Sequence, residues 1–144
     1  MSTQEYLEKF RAQELVVFEG KGWLVTVRTK QITFGSMVIL PSRAIPTFAD
    51  VTASEAVELV EIFARLEKVS ATLGAEKVNV IAAMMKDPFV HFHFIPRYSQ
   101  PKSAFGRDWV DEDWPRAATL RDVETPPEAL GSIRDLIRKS LPSE

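Results

Sequence analysis

The chain has 144 residues, a length that suits one folding unit and excludes two large domains. With 45% hydrophobic residues it can bury a core without staples, and the absence of cysteine removes disulfide frameworks, thiolate nucleophiles and thiolate zinc sites while fitting a reducing compartment. Eighteen Lys and Arg against twenty Asp and Glu give a formal charge of -2, which argues against a protein that coats nucleic-acid backbones but leaves room for a local basic pocket.

The first ten residues alternate acids with apolar side chains and lack the basic stretch and apolar run of a secretory signal, so a cytoplasmic protein is expected. Ser2 and Glu5 form a capping-box pattern, and Tyr6, Leu7 and Phe10 fall on one side of a short helix ending near Gln13. Two strands follow, Leu15 to Phe18 and Trp23 to Arg28, joined through the glycine-rich turn Glu19-Gly20-Lys21-Gly22. Ser36 to Leu40 reads as a third strand that stops at Pro41.

A second capping box, Thr52 with Glu55, opens a long helix whose apolar stripe is Leu59, Ile62, Phe63, Leu66, Val69 and Leu73, with Gly74 placed to end it. Lys77 to Met84 and Val90 to Ile95 read as strands separated by Lys86-Asp87-Pro88. Val80 to Met85 is among the longest apolar runs and is far too short to span a bilayer, so no membrane partner is expected. The stretch from Ser99 to Glu124 has no clear period; Thr125, Pro126, Pro127 and Glu128 then announce a last helix with Leu130, Ile133 and Ile137 buried. Strands arriving mostly as hairpins around one long helix argue an antiparallel α+β fold in a single domain over 1–144, with 99–144 as a C-terminal extension.

Both histidines of the chain lie in VHFHFIPRY, Val90 to Tyr98. In a strand Phe89, His91, His93 and Ile95 share one face while Val90, Phe92 and Phe94 share the other, which makes the second set the core face and stands the two imidazoles together opposite it. On period alone, the simplest reading is two polar residues on the wet face of a sheet. A metal site would need a third ligand from a carboxylate such as Asp87 or Glu55, and no metal or other cofactor is expected. The remaining reading is nucleophilic or acid/base chemistry, for which imidazole titrates in the right range.

VHFHFIPRY resembles the signature of the histidine triad family, His-φ-His-φ-His-φ-φ (φ apolar) followed by Pro-Arg, and the order of hairpin, GSMVILPSR strand, long capped helix, Asn79 strand and histidine strand resembles that family from about Leu15 to Tyr98. The register places His91 at the family's central, nucleophilic histidine and His93 at its third, with Phe89 where the first would stand. Ala44 sits where many members carry a further histidine, Arg28 near the position where members hold ribose hydroxyls with Asp or Asn, and Met85-Lys86-Asp87-Pro88 lacks the Gly-Gln or Gly-Ser element that meets the phosphate.

The resemblance implies a histidine-triad-like fold and a nucleotide hydrolase or transferase. In such an enzyme the central histidine attacks the α-phosphorus of a dinucleoside polyphosphate, a nucleoside phosphoramidate or a related adenylate, and water resolves the nucleotidyl-imidazole. Transferred here, His91 is the nucleophile and His93 its phosphate-binding or proton-managing partner. Lys86, Arg97 and Arg28 are the cationic candidates for the phosphoryl oxygens, although an arginine in the position of Arg97 is more often a strand-end ion pair; Asn79 is either a ligand of the sugar or phosphate or an edge or turn hydrogen bond, and Phe89 either lines the pocket or forms a hydrophobic cluster with Ile95. The alternative is a nucleotide-binding module with little catalysis, because the triad is incomplete. The family also implies a homodimer. Trp109 and Trp114, set among acidic residues, are either a lid or rim of the site or aromatics packing a loop onto the domain.

Overall fold

In the computed structural model, which describes residues 2–142, the Ser2 hydroxyl accepts from the Glu5 N–H and opens α1, Thr3–Lys9. The single helix expected to run to Gln13 is broken at Arg11, which adopts the left-handed conformation at φ 50°, and the short α2, Ala12–Leu15, follows. The break divides the segment between two cores: Tyr6 and Ala12 pack in one, Leu15 in the other. The long helix α3, Ala53–Thr72, carries a complete capping box, with the Glu55 N–H donating to Thr52 Oγ1 at 3.2 Å and the Thr52 N–H donating to Glu55 Oε1 at 2.8 Å. Gly74 follows its end at φ 101°, where a Cβ is unfavourable.

Five strands, β1 (Val16–Glu19), β2 (Trp23–Val27), β3 (Met37–Pro41), β4 (Lys77–Ile81) and β5 (Phe92–Arg97), form one antiparallel sheet in the order β1-β2-β3-β5-β4. The β1–β2 turn is fastened from outside the sheet: the Lys21 and Gly22 N–H groups donate to the Glu58 carboxylate of α3 at 2.8 and 2.7 Å.

β3 lies at the centre and is buried on both faces, which explains why Met37-Val38-Ile39-Leu40 shows no polar alternation. On one face Trp23, Val25, Met37, Ile39, Val90 and Phe94 pack beneath Leu59, Ile62, Leu66 and Val69 of α3 and Leu130, Ile133 and Ile137 of α4 (Pro127–Ser140). On the other, Val38, Leu40 and Phe89 pack beneath Tyr6 and Ala12 of the N-terminal segment. The histidine-bearing side of the sheet is therefore not a wet face.

Two expected strand boundaries shift for reasons that bear on the site. β4 ends at Ile81 and not Met84, because Met84 takes a left-handed conformation (φ 46°) and the chain leaves the sheet. β5 starts at Phe92 and runs through Pro96 to Arg97, so residues 89–91 lie ahead of the ladder. Pro96 is tolerated there because β3 pairs with β5 only as far as Phe94; beyond it the Thr33 hydroxyl donates to the Pro96 carbonyl.

Within the aperiodic stretch, β6 (Lys102–Ala104) and β7 (Arg107–Trp109) form a separate hairpin, and the irregular chain that follows returns along the sheet to α4. Trp109 is buried edge-on to Phe34, with ring centroids 5.4 Å apart, so it packs this hairpin onto the sheet. Among the described residues no helix is long and apolar enough to cross a membrane.

Candidate functional site

His93 lies in β5 and His91 just ahead of it, and the two rings meet edge to face with centroids 5.2 Å apart and an interplanar angle of 73°. Both line a cavity of about 530 Å³. Its walls come from four separate segments: Lys9 and Phe10 of the N-terminal segment, Arg28 to Lys30 after β2, Ala83 to Asp87 after β4, and Leu120 and Asp122 of the irregular C-terminal stretch. Four cations, Lys9, Arg28, Lys30 and Lys86, face two carboxylates, Asp87 and Asp122, so the lining has a cationic excess suited to an anionic ligand.

His91 is 3% exposed, and its Nδ1 lies 2.8 Å from the Phe89 carbonyl oxygen. A carbonyl can only accept, so that contact requires the proton on Nδ1 and leaves Nε2 of the neutral ring with a lone pair. Phe10 packs obliquely against the same imidazole at 5.9 Å, and Phe89 at 5.0 Å. His93 differs in its environment. Burial pushes its imidazole down to about 4, with the Arg28 guanidinium and the His91 ring acting in the same direction and Asp87 opposing them. It is therefore neutral at neutral pH, and its buried Nδ1 has no hydrogen-bond partner among the described residues.

The expected contact residues divide into two groups. Arg28 and Lys86 line the cavity with the histidines. The Arg28 side chain donates through Nη1 to the carbonyls of Lys30 and, at 3.3 Å, Arg121. Burial lowers its pKa and Asp122 opposes that shift.

Arg97, Asn79 and Phe89 do not line the cavity. Arg97 is 3% exposed and holds Asp111 in a two-pronged ion pair, Nε to Oδ2 at 2.7 Å and Nη2 to Oδ1 at 3.1 Å, while also donating to Asn79 Oδ1 and the Arg116 carbonyl, both at 2.6 Å. Asn79 Oδ1 also accepts from the Ala118 N–H at 2.9 Å. These two residues fasten the returning C-terminal chain to the sheet. Phe89 stacks on Tyr6 with centroids 4.1 Å apart and belongs to the core on that face.

Trp114 lies under the Arg97 guanidinium at 5.9 Å, inside the same knot, and neither tryptophan lines the cavity. Glu55, considered as a metal ligand, caps α3 and pairs with Arg43 at 2.8 Å, which holds its carboxyl down at about 2. Asp87 pairs with Lys9. Among the described residues no three His, Cys, Asp or Glu side chains are gathered to hold a metal ion.

Sequence reasoning missed Lys9, Phe10, Lys30, Leu120 and Asp122. None carries a local signal, since each reaches the cavity only through the packing of its segment.

Comparison with known proteins places this geometry in context. No family model matches the chain. A bis(5'-nucleosyl)-tetraphosphatase (asymmetrical) of Schizosaccharomyces pombe is 30% identical over 106 residues, a match that takes in 67% of this chain and 57% of that relative's length. A histidine triad protein of Sinorhizobium meliloti superposes with a TM-score of 0.73 at 18% identity over 95% of this chain and 94% of that one. A HIT-like protein of Bartonella henselae, described as involved in cell-cycle regulation, gives 0.68 at 16% identity over 95% of each chain. A hypothetical histidine triad nucleotide-binding protein of Sulfolobus tokodaii gives 0.68 at 13% identity, covering 93% and 87%. With its antiparallel sheet, long helix and C-terminal helix, this chain has the histidine-triad-like fold.

Proposed function

We propose that this chain is a nucleotide hydrolase or transferase of the histidine triad family, acting at the α-phosphate of dinucleoside polyphosphates, nucleoside phosphoramidates or related adenylates through a nucleotidyl-histidine intermediate on His91. The observation that carries the proposal is the hydrogen bond from His91 Nδ1 to the Phe89 carbonyl, which leaves the opposite ring nitrogen basic in a cavity with a cationic lining. The tetraphosphatase likeness supports a dinucleoside polyphosphate as the first substrate to try.

In the first step the Nε2 lone pair forms a bond to the α-phosphorus, and the bond to the leaving group breaks, its electron pair departing with the leaving oxygen or nitrogen. In the second, water or another hydroxyl attacks the same phosphorus and releases its proton, which balances the one taken up by the leaving group, while the phosphorus–nitrogen bond breaks, its electron pair returns to Nε2 and the neutral imidazole is restored. Arg28 and Lys86 stabilise charge on the phosphoryl oxygens. Neutral His93, whose ring meets that of His91 in the wall of the same cavity, is the phosphate-binding or proton-managing partner. The protein is read as cytoplasmic and homodimeric.

Incubation with a panel of these compounds, followed by a quench in base, should yield a nucleotide adduct on His91 by mass spectrometry. Neither turnover nor adduct across the panel removes the enzyme. A pure binding module is the second reading, favoured by the hydrocarbon ring of Phe89 where the family has an imidazole. It requires nucleotide affinity by calorimetry that survives His91→Ala, without any adduct in the parent protein.

A further inference from the structure

The residues just ahead of β5 lie outside the ladder that fixes the rest of the strand, yet they carry the contact that sets the His91 tautomer. The main-chain bond holding them is from the Val90 N–H to the Ile45 carbonyl, at 2.7 Å, and it leaves the other side of the segment to be restrained by side chains. Those side chains belong to the N-terminal segment. Tyr6 is fully buried, its hydroxyl donates to the Pro41 carbonyl at the end of β3, and its ring stacks on Phe89. Phe10 packs on His91, and Lys9 pairs with Asp87 on the loop that carries Lys86. One short helix and the residue that caps it thus touch the residue that orients the histidine, the histidine itself and the cavity loop. An aromatic series runs without interruption from Tyr6 through Phe89 and His91 to His93, at centroid separations of 4.1, 5.0 and 5.2 Å.

We infer that Tyr6 and Phe10 are positioning residues for His91: the Tyr6–Phe89 stack fixes the carbonyl that holds Nδ1–H, and Phe10 holds the ring so that Nε2 faces the cavity. The inference rests on the proposed nucleophilic role of His91 for its catalytic consequence, but its geometric content stands apart from that role. A carbonyl free to rotate would let the imidazole exchange tautomers and rotamers, and misplacement of a reacting atom by about 1 Å can cost roughly 100-fold in rate. An aromatic wedge built on a helix from the start of the chain therefore does here, by packing, what a rigid strand alone does not do at positions 89–91.

The test uses the full chain and three variants: Tyr6→Leu, which removes the stack; Tyr6→Phe, which keeps it; and Phe10→Ala at a half-buried position, which keeps the test alive if Tyr6→Leu does not fold. Long-range proton–nitrogen NMR of the His91 ring reports the tautomer directly, above the pH range in which imidazole titrates. The parent protein and Tyr6→Phe should show Nδ1–H with Nε2 unprotonated, while Tyr6→Leu or Phe10→Ala should show averaged tautomer signals. On any substrate the parent turns over, those two variants should lose on the order of 10- to 100-fold in kcat with KM little changed, and Tyr6→Phe should retain activity. An Nε2–H tautomer in the parent overturns the inference, as do parent-like ring signals and kcat in both Phe10→Ala and a folded Tyr6→Leu. If the parent turns over nothing while its tautomer still responds to Phe10→Ala, the positioning stands and the catalytic reading falls.

Discussion

Arg28 and Arg97 are chemically identical, and each comes at the end of a core strand, yet the molecule uses them in opposite ways. Arg97 spends four of its five donors on Asp111, Asn79 and the Arg116 carbonyl, and it is buried away from the cavity. Arg28 is held by two main-chain carbonyls and stands in the cavity wall beside His93. The difference lies in which donors the fold has already satisfied and in how the charge is met: Arg97 by the directly bonded Asp111, Arg28 by the nearby Asp122. Around Arg97 a closed knot ties the C-terminal chain down. Around Arg28 cations line a cavity beside two imidazoles.

This contrast can be broken most sharply at the cavity. His91→Ala should lower turnover by about 10³-fold or more while the protein still melts cooperatively, as removal of a covalent nucleophile does. Residual activity near that of the parent would move the nucleophile elsewhere. At the knot, Asp111→Asn leaves the Arg97 guanidinium buried without its counterion, and urea denaturation should show a loss of about 3–5 kcal/mol. In that variant the kcat of the folded fraction should hardly move; a large loss of kcat at unchanged stability would erase the distinction between the two arginines. Arg28→Met should do the reverse, weakening substrate binding by about 1.5–3 kcal/mol, read as a raised KM, with little change in unfolding free energy.

The pH dependence of stability sharpens the same division. The folded-state pKa of His93 lies near 4, below its ordinary value of 6.5, so between these two values the unfolded chain takes up a proton that the folded chain refuses. Its contribution is thus fully present above about 6.5, declines as pH falls through that window and levels off below about 4. His93→Asn should flatten that part of the curve, and an unchanged curve would place the titration elsewhere. The smallest effect is expected at the β1–β2 turn. A Cβ at Gly20 would stand 2.6 Å from Glu58 Oε2. Gly20→Ala should therefore displace the carboxylate from the turn amides and cost about 1 kcal/mol, measured by thermal unfolding.

Much of the fold could be read from local chemistry. The Thr52–Glu55 box and the stripe from Leu59 to Val69 specify α3 within the segment itself, because capping and 3.6-residue periodicity are short-range properties. The glycine turn, the Ser36–Leu40 run and the alternation around His91 likewise placed strands to within a residue or two. The errors arose where a distant segment overrode local preference, as at Arg11, where the chain turns to serve two cores, and at Met84, where it leaves the sheet to wall the cavity.

What the sequence determined by itself is the long helix, the last helix, the strands of the main sheet and the shared face of His91 and His93, since these follow from spacings of a few residues. The tertiary structure decided which charges surround those rings. Phe10, Arg28, Lys86, His91 and Asp122 are spread over most of the chain and become neighbours only when the N-terminal helix and the returning C-terminal stretch close over the sheet. It also decided that Arg97, next to the histidine motif in sequence, is sealed against Asp111, because a buried guanidinium is stable only where carboxylate and carbonyl oxygens satisfy its donors.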